Sequence, residues 1–176
     1  DFQTTRWQQS LHDVWSLLRA RGKKLILRDF IDNSWPRQQL ANILATLPDD
    51  VRASVKATEL DYHPGFANHP HIATLPGHKK WIEYDLFGTG YGWTALPCYL
   101  GDEISGRLSW ALSAAENEIE AITSRVSWQW LPDSRVMDSA NAINLFGLTA
   151  ANQAADAALP ATFDRWAAHH QLGFRS

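Results

Sequence analysis

The sequence predicts an α/β fold of the (β/α)8-barrel type, and this chain of 176 residues is expected to supply about four βα units as a single domain over residues 1–176. Helical and strand patterns alternate, which is typical of a parallel sheet with right-handed crossovers. The predicted strands begin near residues 23, 51, 79 and 120, and one unit of a barrel takes about 30 residues. The long polar loops all follow strands, as in barrels that build their sites at the carboxyl face. A four-stranded open sheet satisfies the same order.

The first half of the chain has the clearest pattern. An amphipathic helix is predicted over residues 6–21, where Leu and Trp recur at helical spacing. Lys23–Phe30 is a short apolar run with charged ends, typical of a strand that is buried on both faces. Ser34 and Pro36 mark the start of the next helix. Val51–Thr58 is the second predicted strand.

The second half is punctuated by two long loops. The predicted elements are, in order, a polar loop Glu59–His78, a strand Trp81–Phe87, a glycine-rich loop Gly88–Gly101, a helix capped by Asp102, a strand Glu120–Ser127, a helix from Asp138 to Asn152 and a last helix over residues 160–171.

Composition excludes several classes of partner. The net charge of −3 and the lack of a Lys and Arg cluster argue against a nucleic-acid partner. No apolar run approaches the roughly 20 residues of a membrane span, so no membrane partner is expected. The single Cys98 excludes a disulfide framework and a cysteine-based zinc site. Since the chain opens with Asp1, its natural N-terminus is expected to be missing, and the compartment stays open between cytoplasm and periplasm.

Ionisable and aromatic side chains gather where the predicted strands end. They are Arg28, Asp29 and Asp32 after the first strand, Lys56, Glu59, Asp61 and His63 after the second, Glu83 and Asp85 on the third, and Arg125, Trp128 and Trp130 after the fourth. Strand ends of a parallel barrel face one mouth, and burying ionisable groups is costly. These positions are therefore candidates for a functional site.

Three carboxylates are the candidate catalytic residues. Asp61 lies in the loop beyond its strand, where catalytic groups are more common than packing groups. Glu83 and Asp85 lie two residues apart on one strand face. Both are suited to acid–base chemistry; alternatively, they are ion-pair partners of Lys56 and Arg125.

Cations and tryptophans are the candidate substrate-binding residues. Arg28, Lys56 and Arg125 are expected to hold a carboxylate through charge-assisted hydrogen bonds. Trp93 and Trp128 are expected to stack on sugar rings, with loop packing as the alternative. Arg28 with the adjacent aspartate also fits a salt-bridge layer that closes the barrel.

No cofactor or metal is predicted. His63, His69, His71 and His78 follow no closed ligand spacing. The segment GTGYGW lacks the third spaced glycine and the following helix of a dinucleotide site. Cys98 has no evident base partner.

The runs KATELDYHP (Lys56–Pro64) and WIEYDLFGTGYGW (Trp81–Trp93), followed by LPCYL, resemble the later half of the α-glucuronidase barrels of glycoside hydrolase family 67. That family shows a strand-ending Lys, an Asp five residues on, a strand Glu and a loop that ends in Tyr-Gly. Lys56, Asp61, Glu83 and Tyr91–Gly92 match these positions, and the resemblance covers residues 23–130.

The resemblance implies inverting hydrolysis of α-linked glucuronic acid at the end of a xylan-type chain. Asp61 corresponds to one of the two carboxylates that activate water. The other falls at Thr89, which does not act as a base near neutral pH, so Glu83 or Asp85 must substitute or the reaction differs. The general acid belongs to an earlier strand, outside this sequence.

The expected function is therefore that of a glycosidase, α-glucuronidase-like, in polysaccharide degradation. Its substrate is a uronate-containing carbohydrate, and the remaining barrel half or a second chain is the expected partner. Two alternatives stay open: a metal- or Lys-dependent sugar-acid isomerase or lyase barrel, and a non-catalytic carbohydrate-binding barrel.

Overall fold

The computed structural model describes residues 2–29, 34–75, 77–87, 96–128, 131–153 and 159–169. The elements are helix α1 (Phe2–Arg19), strand β1 (Ile26–Asp29), helix α2 (Ser34–Leu44), strand β2 (Arg52–Lys56), helix α3 (His71–Thr74), strand β3 (Lys80–Tyr84), helix α4 (Gly101–Ala115), strands β4 (Ile119–Ser124), β5 (Ser127–Trp128) and β6 (Leu131–Arg135), and helices α5 (Ile143–Gln153) and α6 (Leu159–His169). Short 3₁₀ turns cover Glu116–Glu118, Val136–Asp138 and Ala140–Ala142.

Four strands form a parallel sheet in the order β1-β2-β3-β4. The predicted α/β class is thereby confirmed. Each strand pairs with its neighbour in sequence, so every crossover steps in the same direction. Right-handed crossovers of this kind place their helices on one face of the sheet.

The face of the sheet toward the helices is apolar. Val55 and Ile82 are partners in register and are fully buried. They pack in one core cluster with Leu44 of α2 and with Ile104 and Leu108 of α4. Burial of such a side chain stabilises the fold by about 1.5–3 kcal/mol, so this layer holds the sheet to its helices.

The opposite face of the sheet is polar. Register pairs Arg28 with Ser54 and Lys56 with Glu83. Positions i and i+2 of a strand share a face, so all four side chains project from the same side. Asp29 points to the other side, with the apolar core.

Burial on both faces is typical of a strand in a parallel sheet, and β2 agrees with it whereas β1 does not. Every position of β2 is buried, as expected of a strand covered on both faces. In the predicted strand Lys23–Phe30, whose described part ends at residue 29, Ile26–Asp29 form a strand, and Ile26 and Arg28 are exposed. The described sheet pairs β1 on one side only, which explains this exposure.

Several predicted boundaries were wrong. The helix predicted over 6–21 begins at Phe2, and the strand predicted to end at Ser127 ends at Ser124. β5 and β6 then form an unpredicted antiparallel pair. For the last helix the structure describes Leu159–His169, and the predicted end at residue 171 lies outside the described part.

Capping also differs from the prediction. Asp102 lies in the first turn of α4, and the N-cap is Leu100, without a side-chain cap. Asp138 ends a 3₁₀ turn, whereas the side chain of Ser139 accepts from the Asn141 N–H and caps the next turn. The expected loop Glu59–His78 contains the short helix α3.

Among the described residues, no helix combines the length and the apolar character that crossing a bilayer requires.

Candidate functional site

Glu83 is the centre of a polar cluster at the carboxyl end of the sheet. Arg28 donates to it twice, from Nε to Oε2 at 2.6 Å and from Nη2 to Oε1 at 2.7 Å. The Tyr62 hydroxyl donates to the same Oε1, and Arg125 Nε lies 3.7 Å from it. Paired guanidinium–carboxylate bonds of this kind are among the strongest in proteins. Glu83 therefore ties β1, β3 and the segments after β2 and β4 together.

The electrostatics of this cluster make Glu83 an anion. Burial alone raises the pKa of Glu83, but the hydrogen bonds from Arg28 and Tyr62 outweigh it and hold the pKa below its ordinary value. The hydrogen bond to Glu83 raises the pKa of Arg28. Burial raises the pKa of Tyr62, so its phenol stays protonated and donates. Glu83 is thus suited to hold cations in place rather than to supply a proton.

Lys56 and Asp61 form the second ion pair of the cluster. Lys56 Nζ lies 2.5 Å from Asp61 Oδ1, and the side-chain exposures are 3% and 61%. A buried ammonium needs such a counter-charge. The Tyr62 ring lies near two cations, with Lys56 Nζ at 5.8 Å and Arg125 Cζ at 4.9 Å from its centroid. The exposed carboxylate of Asp61 is therefore held at the rim of a cationic cluster.

The loop that carries Asp61 and Tyr62 is fixed from two sides. Tyr62 has φ 45°, a left-handed conformation that an L residue adopts at a cost; its N–H donates to Thr58 Oγ1 at 3.0 Å. Arg107 of α4 donates to the carbonyls of Pro64 and Phe66 at 3.1 and 2.8 Å. These contacts place the loop over the end of β2.

Asp85 has a different environment from Glu83. It is buried, and its Oδ1 accepts the N–H of Phe87 at 3.0 Å, which closes the end of β3. It lines a small cleft with Tyr84 and with Ile104 of α4.

The structure brings together five of the predicted site residues, which are Arg28, Lys56, Asp61, Glu83 and Arg125. Trp93 and Thr89 lie outside the described residues. The backbone of Trp128 is part of β5, but its side chain lies outside the described part of the structure.

One of the expected ion pairs is present, since Arg125 Nε lies 3.7 Å from Glu83 Oε1. Lys56 pairs with Asp61. Arg28 was also expected to form a salt-bridge layer with the adjacent Asp29. It pairs instead with Glu83 across the sheet, while the Asp29 side chain lies on the opposite face, against His71.

That other face holds a group the sequence did not predict. Asp29 Oδ2 lies 2.6 Å from His71 Nδ1 and 3.4 Å from His69 Nε2. All three residues are buried. The sequence contains two indications of this group, an aspartate at a strand end and the run His69-Pro70-His71. Neither predicted it, because the spacing of the histidines fits no closed set of metal ligands. Tyr62 was also missed, since its role depends on a backbone turn that the sequence does not reveal.

Further ion pairs lie at the amino ends of the strands. Arg52 donates to both carboxylate oxygens of Glu120 at 2.9 and 2.7 Å, and Trp81 Nε1 donates to Oε2 at 2.9 Å. These hydrogen bonds lower the pKa of Glu120 to about 2. Lys80, fully buried, pairs with Glu118. This end of the sheet is stabilised by ion pairs.

No protein-family model matches the chain, and a search of curated proteins finds no significant match.

Proposed function

We propose that the chain forms four βα units of a (β/α)8-barrel glycosidase. The strand order β1-β2-β3-β4 supports this proposal, because a barrel adds each strand beside the preceding one and in the same direction. The polar face opposite the helices corresponds to a barrel interior. The Glu83 cluster lies at the carboxyl ends of the strands, where barrel enzymes carry their sites.

The charge of the cluster supports an acidic sugar as substrate. Among the described residues, three cations (Arg28, Lys56 and Arg125) face two carboxylates (Asp61 and Glu83). Guanidinium and ammonium groups of this kind favour a uronate carboxylate over a neutral sugar, because they donate charge-assisted hydrogen bonds. Arg28 is the most exposed of the three cations and is best placed to meet it.

Asp61 is the proposed base, and the observation that carries the proposal is its exposed carboxylate held by buried Lys56. A water molecule gives its proton to Asp61 as its oxygen bonds to the anomeric carbon. The glycosidic bond breaks, and its oxygen takes a proton from an acid outside the described cluster. Glu83 keeps the arginines in position.

Incubation of the protein with a glucuronosyl xylo-oligosaccharide tests this function. Chromatography would detect free uronate, and ¹H NMR would give its anomeric configuration. Asp61→Asn is expected to lower turnover by at least about 100-fold, and Glu59→Gln in the same loop serves as a control with unchanged turnover.

Three outcomes would contradict the proposal. Unchanged turnover in Asp61→Asn rejects the assigned base. An unsaturated uronate product identifies a lyase. Saturable binding without any product identifies a carbohydrate-binding barrel.

A further inference from the structure

A buried cluster of Asp29, His69 and His71 lies apart from the Glu83 site. Asp29 is the last residue of β1, and the two histidines end the loop after β2. One ligand atom of each residue lies within 4.8 Å of those of the others. The exposures are 1%, 2% and 4%, and the imidazole centroids are 5.3 Å apart.

The carboxylate of Asp29 is incompletely compensated. Both histidines approach Oδ2, while the buried Oδ1 has no hydrogen-bond partner. Among the described residues, the charged partners of Asp29 are these imidazoles, which are neutral unless protonated. Burying a carboxylate without a cation is costly. The cluster therefore has the composition of a cation site, together with a buried carboxylate oxygen that lacks a hydrogen-bond partner.

We propose that Asp29, His69 and His71 bind one divalent transition metal ion, and that zinc fits best. Imidazole nitrogen and carboxylate oxygen are standard zinc ligands, with bonds of about 2.0–2.2 Å. The ligand atoms are Asp29 Oδ2, His69 Nε2 and His71 Nδ1, which already converge. Water completes the tetrahedral coordination.

Metal binding changes the tautomer of His69. The N–H of His71 donates to His69 Nδ1 at 3.2 Å, so the metal-free ring carries its proton on Nε2, toward Asp29. Zinc at Nε2 requires that proton to move to Nδ1, which then no longer accepts from the His71 N–H. The lost hydrogen bond is at the long end of the normal range, and the bonds to zinc must offset its loss.

The proposed ion joins β1 to the loop after β2. The same loop carries Asp61 and Tyr62, so the metal stabilises its closing end. The site is buried on the helix side of the sheet, and its role is structural. This proposal does not rest on the proposed glycosidase function.

Calorimetric titration of chelator-treated protein with zinc sulfate tests the site. Wild-type protein is expected to bind one equivalent, with a rise in thermal midpoint and loss of the His69 Nε2 proton signal. Co²⁺ in place of zinc should give the visible absorption of a tetrahedral site. Asp29→Asn and His71→Gln should each weaken binding by more than about 100-fold, since even an outer-shell partner is worth about 10- to 100-fold. His63→Ala, in the same loop, should bind as the wild type does.

Absence of zinc uptake by the wild-type protein overturns the proposal, and this measurement needs no variant to fold. Binding that persists unchanged in both folded variants, as judged by circular dichroism, also overturns it. Either result leaves the glycosidase test unaffected, because that test measures uronate release with Asp61→Asn.

Discussion

Arg28 and Glu83 form a bidentate ion pair across the central part of the sheet, although 55 residues separate them in sequence. β2 lies between their strands, and its Ser54 and Lys56 are their respective partners in register. The pair therefore fixes the stagger of β1 against β3 on the polar face. It also orients Arg28, which the proposed function assigns to substrate.

Removal of the Glu83 charge should destabilise the fold. Glu83→Gln leaves Arg28 and Tyr62 with a weaker acceptor at a buried position, so a loss of about 1–3 kcal/mol in the free energy of unfolding is expected. Urea unfolding measures it. Asp138→Asn removes one partner of the exposed Arg135 pair and should cost less than about 1 kcal/mol. Equal losses in the two variants would contradict a central role for Glu83.

The polar face was largely predictable from sequence. Arg28 and Lys56 come near the ends of two predicted strands and Glu83 lies on the next, and the carboxyl ends of parallel strands meet at one edge. Their convergence needed only the strand assignments. Which cation would pair with which carboxylate was not predictable, because stagger between strands decides it.

Other features depend on information that a local pattern does not contain. β6 was missed because Pro132 and Asp133 are poor strand residues. The left-handed backbone of Tyr62 arises from tertiary contacts. The approach of His71 to Asp29 requires the loop after β2 to fold back on β1, and ligand spacing along the chain does not show it.

Stability should fall on acidification because of Glu83 and Glu120. The folded pKa of each lies below the ordinary value of 4.5, and that of Glu120 is about 2. A depressed folded pKa contributes stability above the unfolded pKa, and this contribution is lost as pH falls through the folded value. The loss from Glu120 should therefore extend from pH 4.5 to about 2. Urea midpoints measured across this range test it.

The matched variant for this pH dependence is Glu120→Gln. It removes the titrating group while Arg52 keeps a neutral acceptor. The variant should therefore be less stable at neutral pH, and its stability should change less between pH 4.5 and 2. If the variant loses as much stability between pH 4.5 and 2 as the wild type does, Glu120 is not the source of the loss.

Free glucuronate should bind the polar cluster more tightly than glucose does. Its carboxylate can accept paired hydrogen bonds from Arg28, and a charge-assisted bond contributes about 1.5–3 kcal/mol, or about 10- to 150-fold in affinity. Saturation-transfer NMR or calorimetry compares the two sugars. Arg28→Gln should abolish the preference, and Arg135→Gln, at an exposed pair, should retain it. Equal affinities for the two sugars in the wild type would remove the argument for a uronate.

Arg107 should determine how firmly the loop that carries Asp61 and Tyr62 is held. Besides the carbonyls of Pro64 and Phe66, it contacts Asn68 Oδ1 at 2.7 Å and Glu103 Oε1 at 2.5 Å. Arg107→Gln leaves these acceptors without their donor, so amide hydrogen exchange over residues 59–68 should become faster. The free energy of unfolding should fall by about 1–3 kcal/mol.

Because Asp61 and Tyr62 lie in that loop, Arg107→Gln should also weaken uronate binding, whereas Arg19→Gln on α1, whose partner Asp50 lies 4.0 Å away, should change neither property. Arg107→Lys restores the charge without the planar fork, and it should recover only part of the protection against exchange. Protection and binding that stay at wild-type levels in Arg107→Gln would show that the Thr58 and Glu83 contacts of Tyr62 suffice to hold the loop.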